Sequence, residues 1–233
     1  MRGLETISRN AFRSAVLAFI VAVICVGLFQ WVSAVQKERA DAKINLLVQQ
    51  LTSGNRAPAT YDGADERNVG IVESFPSDYD QSKQIPVDAA IAQLSSMGKE
   101  AWLPLIEQFE NQAYCKTKEV ADFEYNFSVA QMSQWILKNT IEQYHDCLGG
   151  GGDTHLDTGS YARNHLPDKT TALEWQRQHH TLQLWEVQVE AIEWLLRNQD
   201  VADEIDDPDA LRNRCKEIQA RKAPVFGKSV GDL

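Results

Sequence analysis

Residues 14–36 read SAVLAFIVAVICVGLFQWVSAVQ, 23 residues without a formal charge. At ~1.5 Å rise per residue a helix of that length covers ~35 Å, against a hydrocarbon core ~30 Å thick. The stretch therefore predicts one N-terminal transmembrane helix. A cleavable leader is the competing reading, with Arg2, Arg9 and Arg13 as its basic region and Val32-Ser33-Ala34 as a small-residue cleavage site. The apolar core of such leaders spans only ~7–15 residues, and Phe29 and Trp31 suit an interfacial anchor better. Three basic residues precede the span and three follow it (Lys37, Arg39, Lys43), so charge leaves the orientation tied. The free amino terminus tips it toward N-terminus inside. The expected localisation is a single-pass protein of the cell inner membrane with a periplasmic domain.

Working outward, Ala11, Ala15, Ala18 and Ala22 recur at steps of four, three and four. Small residues on one face let a second helix approach closely in lipid, although alanine is also simply common in membrane helices. Ile44, Leu47, Val48 and Leu51 keep the helical spacing, which predicts a stalk to about residue 53, ended by Thr52-Ser53-Gly54. Residues 54–84 carry Gly54, Pro58, Gly63, Gly70 and Pro76 among many Asp and Ser, and read as a linker. An all-α domain is expected over 85–222 and a tail over 223–233.

Within that domain Pro86 marks a first turn, and Ala89, Ala90, Ile91, Leu94 and Met97 form an apolar stripe that stops at Gly98. Ala101, Trp102, Leu105, Ile106 and Phe109 form the next stripe. The string from Ala90 to Phe109, AIAQLSSMGKEAWLPLIEQF, resembles a HEAT repeat, with an alanine-rich first helix ending at glycine and a second helix carrying an early proline (Pro104) and a Leu-Ile pair. The resemblance covers about residues 86–111, one repeat unit. It implies an all-α, HEAT-like hairpin scaffold for protein–protein contact and carries over no catalytic residue.

Further helices are predicted from three local signals. Ser128-Val129-Ala130-Gln131 has capping-box form, opening a helix that ends near His145. Trp175, Leu182, Trp185, Val189, Ile192 and Leu196 step by seven, three, four, three and four, the seam of one long helix over about 170–198. Asp207 and Pro208 suit the cap and first position of a last helix running to about Arg221. No strand is predicted. Five tryptophans fall in these helices (Trp102, Trp135, Trp175, Trp185, Trp194), as fillers of a helical core or as an interface cluster.

The net charge is −10, and the first 35 residues carry +2, which leaves −12 on the remainder. A domain that acidic repels phosphate backbones, so nucleic acid is not an expected partner. The expected partners are other membrane protein subunits and the lipid bilayer.

Of the four cysteines, Cys25 lies in the apolar stretch, and Cys115–Cys147 is the candidate disulfide among the other three, each lying at a predicted helix edge. The alternative is that all three are small buried hydrophobes. The metal candidates are His145, Asp153, His155, Asp157 and His165, with Asp146 and Cys147 beside them, in residue types that zinc accepts but at spacings matching no closed zinc pattern. The acidic run Asp200, Asp203, Glu204, Asp206, Asp207 and Asp209 lacks the spacing of a helix–loop–helix calcium loop. His179 and His180 point about 100° apart on a helix, awkward for a shared metal, and Glu107, Glu190 and Glu193 fall on predicted solvent faces. No nucleophile elbow, phosphate-cradling glycine loop or haem-attachment motif occurs, and no cofactor is implied.

The functional expectation is a non-catalytic accessory, adaptor or assembly subunit of a membrane protein complex. The alternative is a metal-assisted hydrolase or metal-binding protein using residues 145–165.

Overall fold

A computed structural model describes residues 2–61, 70–120, 123–142, 161–198 and 208–225, with side chains of the first helix from Val23 onward. The chain divides into two compact units, residues 1–44 and 45–233. Helix α1 (Arg2–Gln50) is continuous. In the first unit its side chains from Val23 to Val32 are mostly apolar and exposed.

Among the described residues no helix is long and apolar enough to cross a membrane. The exposed apolar side chains from Val23 run straight into Lys37, Glu38, Arg39, Asp41 and Lys43 on the same helix. The expected transmembrane helix, and with it the single-pass inner-membrane localisation and the periplasmic assignment, is corrected accordingly. The small-residue face of Ala11, Ala15, Ala18 and Ala22 lies outside the residues whose side chains are described.

The second unit begins with the end of α1, where Leu47, Val48 and Leu51 are buried. The following segment pairs β1 (Ala59–Thr60) antiparallel with β2 (Val72–Ser74). A side-chain amide fastens it. Asn55 Nδ2 donates to the Asp80 carbonyl at 2.8 Å, and Asn55 Oδ1 accepts from the Asp80 amide at 3.0 Å. Asn55 thus supplies the donor and the acceptor that a neighbouring strand would. Asn55→Ala is expected to cost about 1–3 kcal/mol, because the Asp80 amide loses its acceptor and the Asp80 carbonyl keeps only its bond from the Lys83 amide (3.0 Å). The check is urea denaturation together with tryptic cleavage after Lys83, which should accelerate.

Next comes α2 (Ile85–Met97), with Val87, Ala90, Ile91 and Leu94 buried. It stops where predicted, at Gly98, whose φ of 61° is open to glycine at little cost. The chain continues through a 3-10 turn (Gly98–Ala101) into the five-residue α3 (Trp102–Ile106).

The expectation of an all-α class is also corrected, because the fold is mostly helical with strands. β3 (Tyr114–Val120) and β4 (Phe123–Ser128) pair antiparallel, with Thr117 opposite Asn126 and Lys118 opposite Tyr125. A bridge from Ile71 to Tyr125 and the Asn126 amide on the Gly70 carbonyl (3.1 Å) connect this hairpin to the β2 strand. The physical reason lies in cross-strand partners. Lys116, Lys118, Glu119 and Glu124 dilute any apolar alternation, so the strands stand on pairing and on a few contacts such as Thr117 Oγ1 donating to Asn126 Oδ1 at 2.8 Å.

The Ser128 capping box forms as the sequence predicts, with Gln131 N on Ser128 Oγ (3.2 Å) and Ser128 N on Gln131 Oε1 (2.9 Å). It opens α4 (Val129–Ile141). Among the described residues four further helices follow: α5 (Tyr161–His165), α6 (Lys169–His179), α7 (Leu184–Arg197) and α8 (Pro208–Arg221). The long helix expected over 170–198 is therefore two helices. Lys99 Nζ donates to the carbonyls of His179 (2.9 Å), His180 (3.2 Å) and Leu182, which satisfies the open end of α6. A capping box between Gln183 and Glu186 then restarts the chain as α7. The heptad seam ran through this break because both helices face the same core. That core gathers Trp102, Leu137, Ile141, Tyr161, Trp175, Ile192 and Leu211 among others.

Candidate functional site

Among the described residues, a connected polar and aromatic cluster lies where α5, α6 and α7 meet. α6 begins at Asp168, whose carboxylate accepts from the Thr171 amide and hydroxyl, both at 2.9 Å. Those hydrogen bonds hold the Asp168 carboxyl below its ordinary value. Three turns later the helix ends at His179, where the negative end of the helix dipole favours a cation. Trp175 and His179 lie four residues apart on one face and stack with centroids 4.4 Å apart. α5 repeats the motif, with Tyr161 stacked on His165 at 4.0 Å. Trp194 of α7 meets both rings edge-on, 5.9 Å from Tyr161 and 5.3 Å from His165.

Hydrogen bonds close this cluster into a ring. Trp175 Nε1–H donates to Tyr161 Oη at 3.0 Å. Tyr161 O–H donates to Glu190 Oε1 at 2.7 Å. His179 Nε2 lies 3.1 Å from both Glu190 carboxylate oxygens. His179 Nδ1 lies 2.7 Å from the Trp175 carbonyl, which returns the circuit to its starting residue. Burial pushes the Tyr161 hydroxyl well above the ordinary tyrosine value, which keeps its proton in place as the donor to Glu190. The His179 side chain is 12% exposed and Glu190 37%, so the ring has a closed side and an open one.

Beside the ring, Lys99 sits 5.5 Å above the Trp102 ring with its ammonium against the carbonyls at the end of α6. Burial holds its amine below the ordinary lysine value, with the Glu186 charge acting the other way. At the end of α4 the fully buried Glu142 carboxylate accepts from the Ala162 amide at 2.6 Å and so ties α4 to the start of α5.

The sequence candidates fare differently. His145, Asp153, His155 and Asp157, together with Asp146 and Cys147, lie outside the described residues. His165 is described, with Nδ1 2.9 Å from the Tyr161 carbonyl and its ring stacked on Tyr161. Among the described residues no group of three or more His, Cys, Asp or Glu is placed to hold a metal ion. Cys115 is a free thiol buried in β3, and burial pushes it up to about 12. Its candidate disulfide partner Cys147 is among the residues not described. Cys215 is also free and buried, in α8. Of the acidic run, Asp209 opens α8 and pairs with Arg212 at 2.7 Å, whereas Asp200, Asp203, Glu204, Asp206 and Asp207 lie outside the described residues. Trp102 and Trp175 are core residues, tilted against each other at 5.1 Å.

Sequence reasoning passed over Tyr161 and placed Glu190 on a solvent face. The available signal was the pair of i,i+4 aromatic–histidine spacings, Tyr161/His165 and Trp175/His179. His179 and His180 diverge as expected, His179 into the ring and His180 with Nδ1 on the Arg177 carbonyl at 2.7 Å.

Chemically the ring is self-contained. Both His179 nitrogens and the Tyr161 hydroxyl are engaged within the protein, so the arrangement joins helices rather than presenting a nucleophile with a waiting base. No family model, no curated protein and no solved structure matches this chain.

Proposed function

We propose that the chain is a non-catalytic accessory or adaptor subunit that joins a larger protein assembly through its first helix. One observation carries this reading. Val23, Ile24, Val26, Leu28, Phe29, Trp31 and Val32 are 43–73% exposed along α1. Exposed apolar side chains grouped in this way mark an interaction surface, and Trp and Phe are the residue types that dominate interface energetics. The hydrogen bonds of the ring at α5–α7 are all made within the protein, which supports a scaffold role for these helices. The net charge of −10 argues against nucleic acid as the partner.

The test is native extraction followed by size-exclusion chromatography and mass spectrometry, for the wild type and for a Phe29→Asp/Trp31→Asp pair. Stoichiometric co-elution with other protein subunits is expected for the wild type. The paired variant should weaken it at least tenfold, since anchors of this kind contribute about 2 kcal/mol or more each. A wild-type chain that elutes without any protein partner, alone or with lipid only, overturns the reading.

A further inference from the structure

We propose that the Trp175–Tyr161–Glu190–His179 ring is a proton-operated clasp, closed across α5, α6 and α7 only while one proton lies between His179 and Glu190. The Trp175 carbonyl can only accept, so His179 Nδ1, 2.7 Å away, carries a hydrogen. Tyr161 spends its hydroxyl hydrogen on Glu190 Oε1 and receives the Trp175 indole hydrogen in return. The contact of His179 Nε2 with both Glu190 oxygens at 3.1 Å then has no hydrogen unless a further proton is bound. A neutral imidazole would turn its Nε2 lone pair toward a carboxylate, which is repulsive. With that proton bound, every donor in the ring meets an acceptor.

The charged and titratable groups facing the clasp come from each packed element. α5 contributes Tyr161 and His165. α7 contributes Glu190, and Glu186 whose charge acts on Lys99. Lys99 of the 3-10 turn holds the carbonyls of His179, His180 and Leu182. Glu142, at the end of α4, acts electrostatically on Tyr161. On α6 itself Arg177 is paired with Glu174, and His180 bonds the Arg177 carbonyl. Glu190 is thus the acidic partner in direct contact with His179, and it is the group to change.

The test follows the His179 ring nitrogens by NMR across pH in the full chain, beside urea stability and amide exchange of α7, for the wild type, Glu190→Gln and His179→Gln. The expected wild-type result is both ring nitrogens protonated in the closed state. On deprotonation, α7 exchange should rise at least tenfold. A glutamine at position 190 accepts from Tyr161 and donates to a neutral His179, so it keeps the ring without the extra proton and should flatten the pH profile. His179→Gln should flatten it from the other side. A wild-type His179 with one protonated nitrogen, or a Glu190→Gln profile that coincides with the wild type, overturns the proposal. If either variant does not fold, the wild-type nitrogen shifts decide alone.

Discussion

Trp175→Ala is expected to lower the unfolding free energy by about 3–5 kcal/mol, a large part of the ~5–15 kcal/mol that a domain of this kind possesses. The indole is buried and touches three aromatic neighbours: Trp102 at 5.1 Å, Tyr161 at 6.4 Å and His179 at 4.4 Å. Truncation to a methyl group removes that packing and leaves a cavity at the junction of α3, α5 and α6. It also removes the indole N–H that donates to Tyr161 Oη, one link of the ring. Trp175→Phe separates the two effects. It retains most of the ring contact and forfeits the hydrogen bond, and should cost about 1–2 kcal/mol. Urea denaturation followed by far-UV circular dichroism measures both, and equal losses for the two variants would show that packing is not the larger part.

Gln188→Leu is expected to cost about 2–4 kcal/mol although the replacement is more apolar and close in volume. Gln188 of α7 is fully buried, and its amide is used to capacity. Nε2 donates to the Thr140 carbonyl at 2.9 Å and to the Val225 carbonyl at 2.8 Å, while Oε1 accepts from the Val225 amide at 3.0 Å. One side chain thus joins α7 to the end of α4 and to the chain after α8. Leucine would leave three backbone groups without their partner, and the cost of orphaned backbone outweighs the gain from burying an extra apolar group. Two readouts bear on this. The urea midpoint should fall, and tryptic cleavage after Arg221 and Lys222 should accelerate. Unchanged cleavage with a lowered midpoint would place the loss at Thr140 alone.

Features written in short spacings were legible from sequence. The capping box at Ser128 needs only Ser and Gln three residues apart, and it forms as read. The stop of α2 at Gly98 needs one residue that tolerates positive φ. Features that depend on distant partners were not legible. The β3–β4 hairpin is a sequence of mixed charge that becomes two strands only because each supplies the other's hydrogen bonds. The carbonyls left open where α6 ends, those of His179, His180 and Leu182, are met by Lys99, some 80 residues earlier in the chain. No window over residues 170–198 contains that lysine, so the unbroken apolar seam read as one helix. Glu190 was assigned to solvent for the same reason: its partners Tyr161 and His179 stand on two other helices.

By itself the sequence determined the local grammar of this protein: helix caps and stops, the apolar faces of its helices, a net negative charge, and the apolar run of α1. Those follow from backbone sterics, side-chain hydrogen bonds over three or four residues and residue polarity, all of which act within one turn of chain. Tertiary structure alone decided where strands pair, where a continuous apolar pattern breaks, and which acid, histidine and tyrosine close into one ring. Each of those depends on groups brought together from far along the chain. Their energy arises only once both partners are buried side by side, and a linear reading holds no record of that.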